Sequence, residues 1–190
     1  MSRPFGPLPA APVAEKRPFT DTRHGIERSD DYAWLRADNW QEVFKDSSVL
    51  DPAIRAHLEA ENAYAKSVMG DTEPLRETLI GEMRGRIKED DSSVPSPDGE
   101  WAYGIAYEAG AEYPKFIRRP RDGGEETVLL DAEKEGADRP YFSVGGASHS
   151  GDHKLLAWAY DDKGSEYYTL KVRDIESGQD LADVVEDTGG

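Results

Sequence analysis

The feature that most constrains this chain is a repeat. Slid along itself at one fixed offset, the second half of the sequence meets its own pattern. Ser96 falls on Ser150, Asp98 on Asp152, Gly110 on Gly164, Glu112-Tyr113 on Glu166-Tyr167, Arg119 on Arg173 and Gly124 on Gly178. Each copy opens with Ser-x-Asp, which predicts a tight turn closed by side-chain-to-backbone hydrogen bonds. A strand with period-two alternation follows, carrying Trp101, Tyr103, Ile105 and Tyr107 in the first copy and spanning residues 155–160 in the second. A glycine hairpin (Glu108-Ala109-Gly110, Asp162-Lys163-Gly164) then returns the chain along residues 113–119 or 167–174. A hairpin-built unit of about 50 residues is the size of a propeller blade. Two units do not close a ring, which takes about four or more blades. The expected β part is therefore an incomplete all-β propeller, with the chain stopping inside a blade. A small antiparallel sheet of two similar hairpins is the other reading of the pattern.

Before residue 90 the periodicity is helical. Five prolines (Pro4, Pro7, Pro9, Pro12, Pro18) make residues 1–20 an arm expected to lie extended across something else. Tyr32, Trp34 and Leu35 anchor a short predicted helix over 31–37. Asp51-Pro52 reads as an N-cap and first helical position, opening a helix that runs to Met69 and stops at Gly70. Thr72 is the expected cap of a further helix, from about Pro74 to about Lys88, with Leu75, Leu79, Met83 and Ile87 in one stripe. The short Gly70-Asp71 link predicts a helical hairpin whose apolar faces need a partner. The fold class is thus mixed: an N-terminal helical segment, then the first blades of a propeller. The domains are drawn as 1–72 (Pro-rich arm and helical segment) and 73–190 (connecting helix and two blades).

Composition excludes whole classes. The net charge is −16, which opposes binding to nucleic acid or to an anionic membrane surface. With no cysteine there is no disulfide framework, thiol nucleophile or Cys-ligated zinc. No apolar run reaches about 18 residues, and the Pro-rich start is no secretion signal, so a cytoplasmic location is expected. Gly146-Ala147-Ser148-His149-Ser150 lacks the second glycine of a nucleophile elbow and falls in the expected blade-joining turn. Its adjacent Ser148 and His149 would point to opposite faces of a strand. His149-x-x-x-His153 with Asp152 is a weak metal pattern, because on a turn that spacing carries no fixed geometry. The alternating tyrosines read as strand packing. No catalytic, cofactor-binding or metal residue is assigned.

The stretch His24-Gly25-Ile26-Glu27-Arg28-Ser29-Asp30-Asp31-Tyr32-Ala33-Trp34-Leu35-Arg36 resembles the N-terminal signature of the prolyl oligopeptidase family of serine peptidases. So does Leu58-Glu59-Ala60-Glu61-Asn62-Ala63-Tyr64. Residues 88–95 (Lys-Glu-Asp-Asp-Ser-Ser-Val-Pro), Gly110-Ala111-Glu112-Tyr113-Pro114 and Glu126-Thr127-Val128-Leu129-Leu130-Asp131 are similar to its oligopeptidase B branch. The resemblance runs from about Pro18 to Gly190. It implies helices packed on an α/β-hydrolase domain supplied mostly by the C-terminal part of the chain, and a seven-bladed propeller that admits only short peptides. It also implies cleavage after Lys or Arg by a Ser-Asp-His triad. No triad residue maps onto this sequence, so the chain alone is expected to be inactive. The implied partners are short basic peptides, met by the complete enzyme, and the missing hydrolase domain. The match further implies that Glu126, with its neighbour Glu125, lies near the propeller–hydrolase contact; a solvated turn charge is the other reading. Residues 91–190 hold 10 bases and 22 acids, a net of −12. That charge either attracts cationic peptides or only solubilises. The competing reading of the whole is a stand-alone acidic β-sheet interaction module without enzymatic activity.

Overall fold

The computed structural model describes residues 9–189; Pro4 and Pro7 of the expected arm lie outside the described residues. The chain forms two compact units that part between Arg86 and Ile87. In the first, β1 (Phe19–Arg23) and β2 (Ile26–Asp30) make an antiparallel hairpin with Arg23 opposite Ile26. Its loop residues, His24 and Gly25, have φ +53° and +75°, the two left-handed positions that a type I′ turn requires. Sequence reading finds no strands here because both are exposed almost throughout and carry no apolar alternation. One 3₁₀ turn, Ala33–Leu35, stands in place of the helix expected over 31–37. After α1 (Trp40–Lys45) comes α2 (Pro52–Met69), with the bounds its sequence predicts. The Asp51 carboxylate accepts from the amides of Ala53 and Ile54 at 2.7 and 3.3 Å, and Pro52 takes the first helical position, where no amide is needed.

The end of α2 differs from expectation. Gly70 keeps a right-handed conformation (φ −55°, ψ −37°) and leads through a 3₁₀ turn, Gly70–Thr72, into α3 (Glu73–Arg84). With no left-handed residue to reverse the chain, α2 and α3 do not pack along one another, and the predicted hairpin is absent. Thr72 does not cap α3 either; its hydroxyl donates to the Met69 carbonyl at 2.6 Å. Buried Ile54 and the edge-on pair of Trp34 with His57 (centroids 6.2 Å) anchor this unit. The Trp34 indole donates to the Glu15 carbonyl at 2.8 Å, and the Arg17 guanidinium lies 4.2 Å over its ring. Those contacts pin the end of the Pro-rich arm.

The second unit is two antiparallel sheets. The first contains β3 (Asp91–Ser92), β4 (Ser96–Asp98), β5 (Trp101–Tyr107), β6 (Lys115–Pro120) and β7 (Thr127–Asp131), with β3 and β4 both pairing β5. After α4 (Ala132–Gly136) the second runs in order through β8 (Ser143–His149), β9 (Leu155–Asp161), β10 (Tyr168–Asp174) and β11 (Asp180–Thr188). The repeat offset carries β5 onto β9, and the pair Ala102–Arg119 onto Leu156–Arg173. Gly110 and Gly164 turn equivalent corners at φ +81° and +74°, where a Cβ would be strained. The copies part at their openings. Ser150 makes the expected turn, donating to Asp152 at 2.6 Å and accepting from the Leu155 amide at 3.0 Å. Ser96–Asp98 instead lies extended as β4. Leu129, Leu130, Ala132, Phe142, Leu156 and Trp158 form the buried core, with Tyr103 and Phe116 of the first sheet and Val144 and Ala147 of the second packed against it.

Candidate functional site

In the second unit, the loops that open the two blades bring a polar cluster together. The Gly99-Glu100 loop joins β4 to β5, and residues 150–154 join β8 to β9. The Tyr103 hydroxyl, on β5, lies 2.8 Å from His153 Nδ1. Its ring stacks on His149 with centroids 3.8 Å apart and planes at 14°. The His149 and His153 rings are 5.1 Å apart, and Asp98 Oδ2 is 3.4 Å from His149 Nε2. Arg118, on β6, lies 3.9 Å over Trp101 and donates to the His153 carbonyl at 2.7 Å. Burial pushes the Tyr103 hydroxyl above its ordinary pKa, against the pull of Arg118. Gly99 makes the approach possible: at φ +57°, a Cβ there would stand 2.7 Å from His153 Nε2.

The structure thus joins His149 and His153 but replaces the carboxylate that the sequence suggested. Asp152 turns back into its own loop, where the Ser150 hydroxyl and the Lys154 amide (3.2 Å) hold its pKa below the ordinary value. Its equivalent in the first copy, Asp98, faces the histidines. The repeat marks Asp98 as the counterpart of Asp152 but does not say which of the two meets the histidines.

Ser148 and His149 sit side by side on β8, a strand and not a turn, with Ser148 exposed and His149 half-buried. Alternation sends them to opposite faces, so they form no nucleophile–base pair. Glu125 and Glu126 are exposed in the loop between β6 and β7. The first unit has a groove of about 1050 Å³, lined among others by Arg17, Phe19, Arg28, Tyr32, Trp34 and Ile54. Charged groups around it have local roles: Arg23 pairs with Asp21 at 2.6 Å, Asp30 accepts from the Tyr32 amide, and Asp51 caps α2. That arrangement converges on no reacting atom. On the helices, Leu58, Met69, Leu75, Leu79, Ile80 and Met83 are exposed, an apolar face larger than scattered surface residues explain. Among the described residues no helix is long and apolar enough to cross a membrane.

The chain is similar to known proteins along nearly its whole length. The family model described as "Prolyl oligopeptidase, N-terminal beta-propeller domain" matches residues 11–190. Dipeptidyl aminopeptidase BI of Pseudoxanthomonas mexicana is 35% identical over 190 residues, covering 91% of this chain and 25% of that protein. Oligopeptidase B from Leishmania major superposes with a TM-score of 0.83 at 27% identity, over 95% of this chain and 27% of that one. Oligopeptidase B from Trypanosoma brucei, in a closed form with covalently bound antipain, gives 0.78 at 28% identity, over 95% and 26%. The chain therefore spans about a quarter of the length of these relatives.

Proposed function

The chain belongs to the prolyl oligopeptidase family, within its N-terminal β-propeller region, and on that premise we propose that it forms part of a serine endopeptidase that cleaves short peptides after Lys or Arg. In this reading the blades contribute to a gate, and the exposed faces of α2 and α3 seat the catalytic part of the enzyme. The observation that carries it is the central hairpin of each blade, β5–β6 and β9–β10, in identical register, preceded by helices whose apolar stripe stands open to solvent. The choice of basic residues draws support from the likeness to oligopeptidase B structures and from the net −12 over residues 91–190, which would raise the encounter rate of cationic peptides. Glu126, with Glu125, is assigned to the contact with the catalytic part.

A second specificity is favoured by the 35% identity to a protein named as a dipeptidyl aminopeptidase: removal of dipeptides from a free N-terminus. One experiment separates the two. The full-length protein is assayed on a fluorogenic peptide with a blocked N-terminus and Arg before the scissile bond, and on an unblocked dipeptide substrate. Turnover of the blocked peptide supports the endopeptidase; dependence on a free amino group supports the aminopeptidase. Failure of a serine-directed fluorophosphonate to label the full-length protein overturns both. Residues 1–190 alone are expected to turn over neither substrate.

A further inference from the structure

We propose that Asp98, His149 and His153 form a binding site for one zinc-class divalent metal ion, which clasps the opening loop of the first blade to that of the second. Each of the three side chains offers a ligand atom, and these atoms lie within 4.8 Å of one another. Two are already at a metal-bridging separation. Asp98 Oδ2 and His149 Nε2 are 3.4 Å apart, longer than a good hydrogen bond. That distance matches the edge, about 3.3 Å, of a tetrahedron with metal–ligand bonds of about 2.0–2.1 Å.

The supporting shell is present as well. His149 Nδ1 lies 3.1 Å from the Ser150 carbonyl. A carbonyl only accepts, so Nδ1 donates to it, and Nε2, the nitrogen that faces Asp98, is the one free to give up its proton to a metal ion. The stacked Tyr103 ring fixes that imidazole plane, and the Tyr103 hydroxyl holds His153 through Nδ1. With Nδ1 donating to the Tyr103 oxygen, His153 binds through Nε2, in the space that Gly99 leaves by lacking a side chain. Two imidazoles and one carboxylate, with water in a fourth position, suit zinc and its neighbours better than the hard cations that prefer all-oxygen sites. The Arg118 guanidinium, held by the His153 carbonyl and Trp101, places a positive charge beside the site. Asp98 is the one anionic ligand of the three, so removing its charge should weaken binding measurably.

The test is a zinc titration of the full-length protein by calorimetry, with Co²⁺ as a spectroscopic probe. One equivalent should bind, the Co²⁺ form should show tetrahedral visible bands, and zinc should raise the melting temperature. D98N changes an exposed side chain and should weaken affinity by at least about tenfold. Y103F keeps the stacked ring, removes the hydroxyl and should weaken affinity about tenfold with unchanged stoichiometry. H149Q and H153Q should abolish binding; if either fails to fold, D98N and Y103F decide. H24N, at an exposed histidine of the first unit, should change nothing. Absence of saturable binding below the millimolar range overturns the proposal, as does a one-to-one site whose affinity D98N and Y103F leave intact.

Discussion

Asp161 holds the main hairpin of the second blade. It is 2% exposed, and its carboxylate accepts from the amides of Lys163 (2.9 Å), Gly164 (3.1 Å) and Glu166 (2.8 Å) and from the Ser165 hydroxyl (3.3 Å). Those bonds keep Glu166 at φ +60°, a conformation uncommon for a residue with a Cβ. D161A strands these donors and is expected to lower stability by about 3 kcal/mol, while D161N keeps one acceptor oxygen and loses less. Urea unfolding of the full-length protein checks both. The repeat does not reveal this role: in the first copy the position is Tyr107, and Glu133 accepts from the amides of Glu112 and Tyr113 instead. A second knot joins Arg173 to Asp180 (2.7 Å) and Glu135 (2.8 Å), with the Trp158 indole donating to Asp180. Burial pushes the Asp180 carboxyl up, but the bond and charge of Arg173, the indole and Lys171 outweigh it and leave its pKa below the ordinary value. A carboxyl lowered by folding stabilises the native state above its unfolded pKa, and that contribution is lost as pH falls through the folded value. The melting temperature should therefore fall below about pH 5, and D180N should make that acid-side fall shallower while lowering stability at neutral pH.

At the scale of elements, α2 shows how far a local pattern reaches. Its N-cap, its first proline and its apolar spacing all lie between Asp51 and Met69, and the helix runs where they place it. The hairpin β1–β2 was not legible because neither face is buried in its own unit, so its strands show no alternation. Gly70 misleads for a related reason: glycine permits a left-handed stop without imposing one. On α3, Leu75, Leu79, Ile80 and Met83 are between 41 and 61% exposed. If the catalytic part covers this face, L79E should destabilise the full-length protein by about 1.5–3 kcal/mol and should reduce self-association of residues 1–190 in isolation. Paired melts and sizing measurements read the two effects. An unchanged full-length melt would leave that face without the assigned partner.

For the whole molecule, β11 is an edge strand of its sheet, with Leu181, Val184 and Val185 substantially exposed. An apolar edge strand recruits another chain when nothing covers it. Residues 1–190 alone should therefore melt broadly and self-associate, and a V184K/V185K double variant should suppress the association, as sizing would report. A monodisperse species with one sharp melt would instead favour a free-standing interaction module. By itself the sequence determined the period of the repeat, the strands that obey it, the helix over 52–69 and the motifs that resemble the prolyl oligopeptidase family. Each of these is written in spacings along one stretch of chain or in turn chemistry repeated within it. Only the tertiary structure decided that Asp98 and not Asp152 meets the histidines, that Tyr103 stacks between the blade openings, and that α2 and α3 do not fold together. Those outcomes turn on which loops of separate blades approach through space, and on a glycine with two open choices, so no local period encodes them.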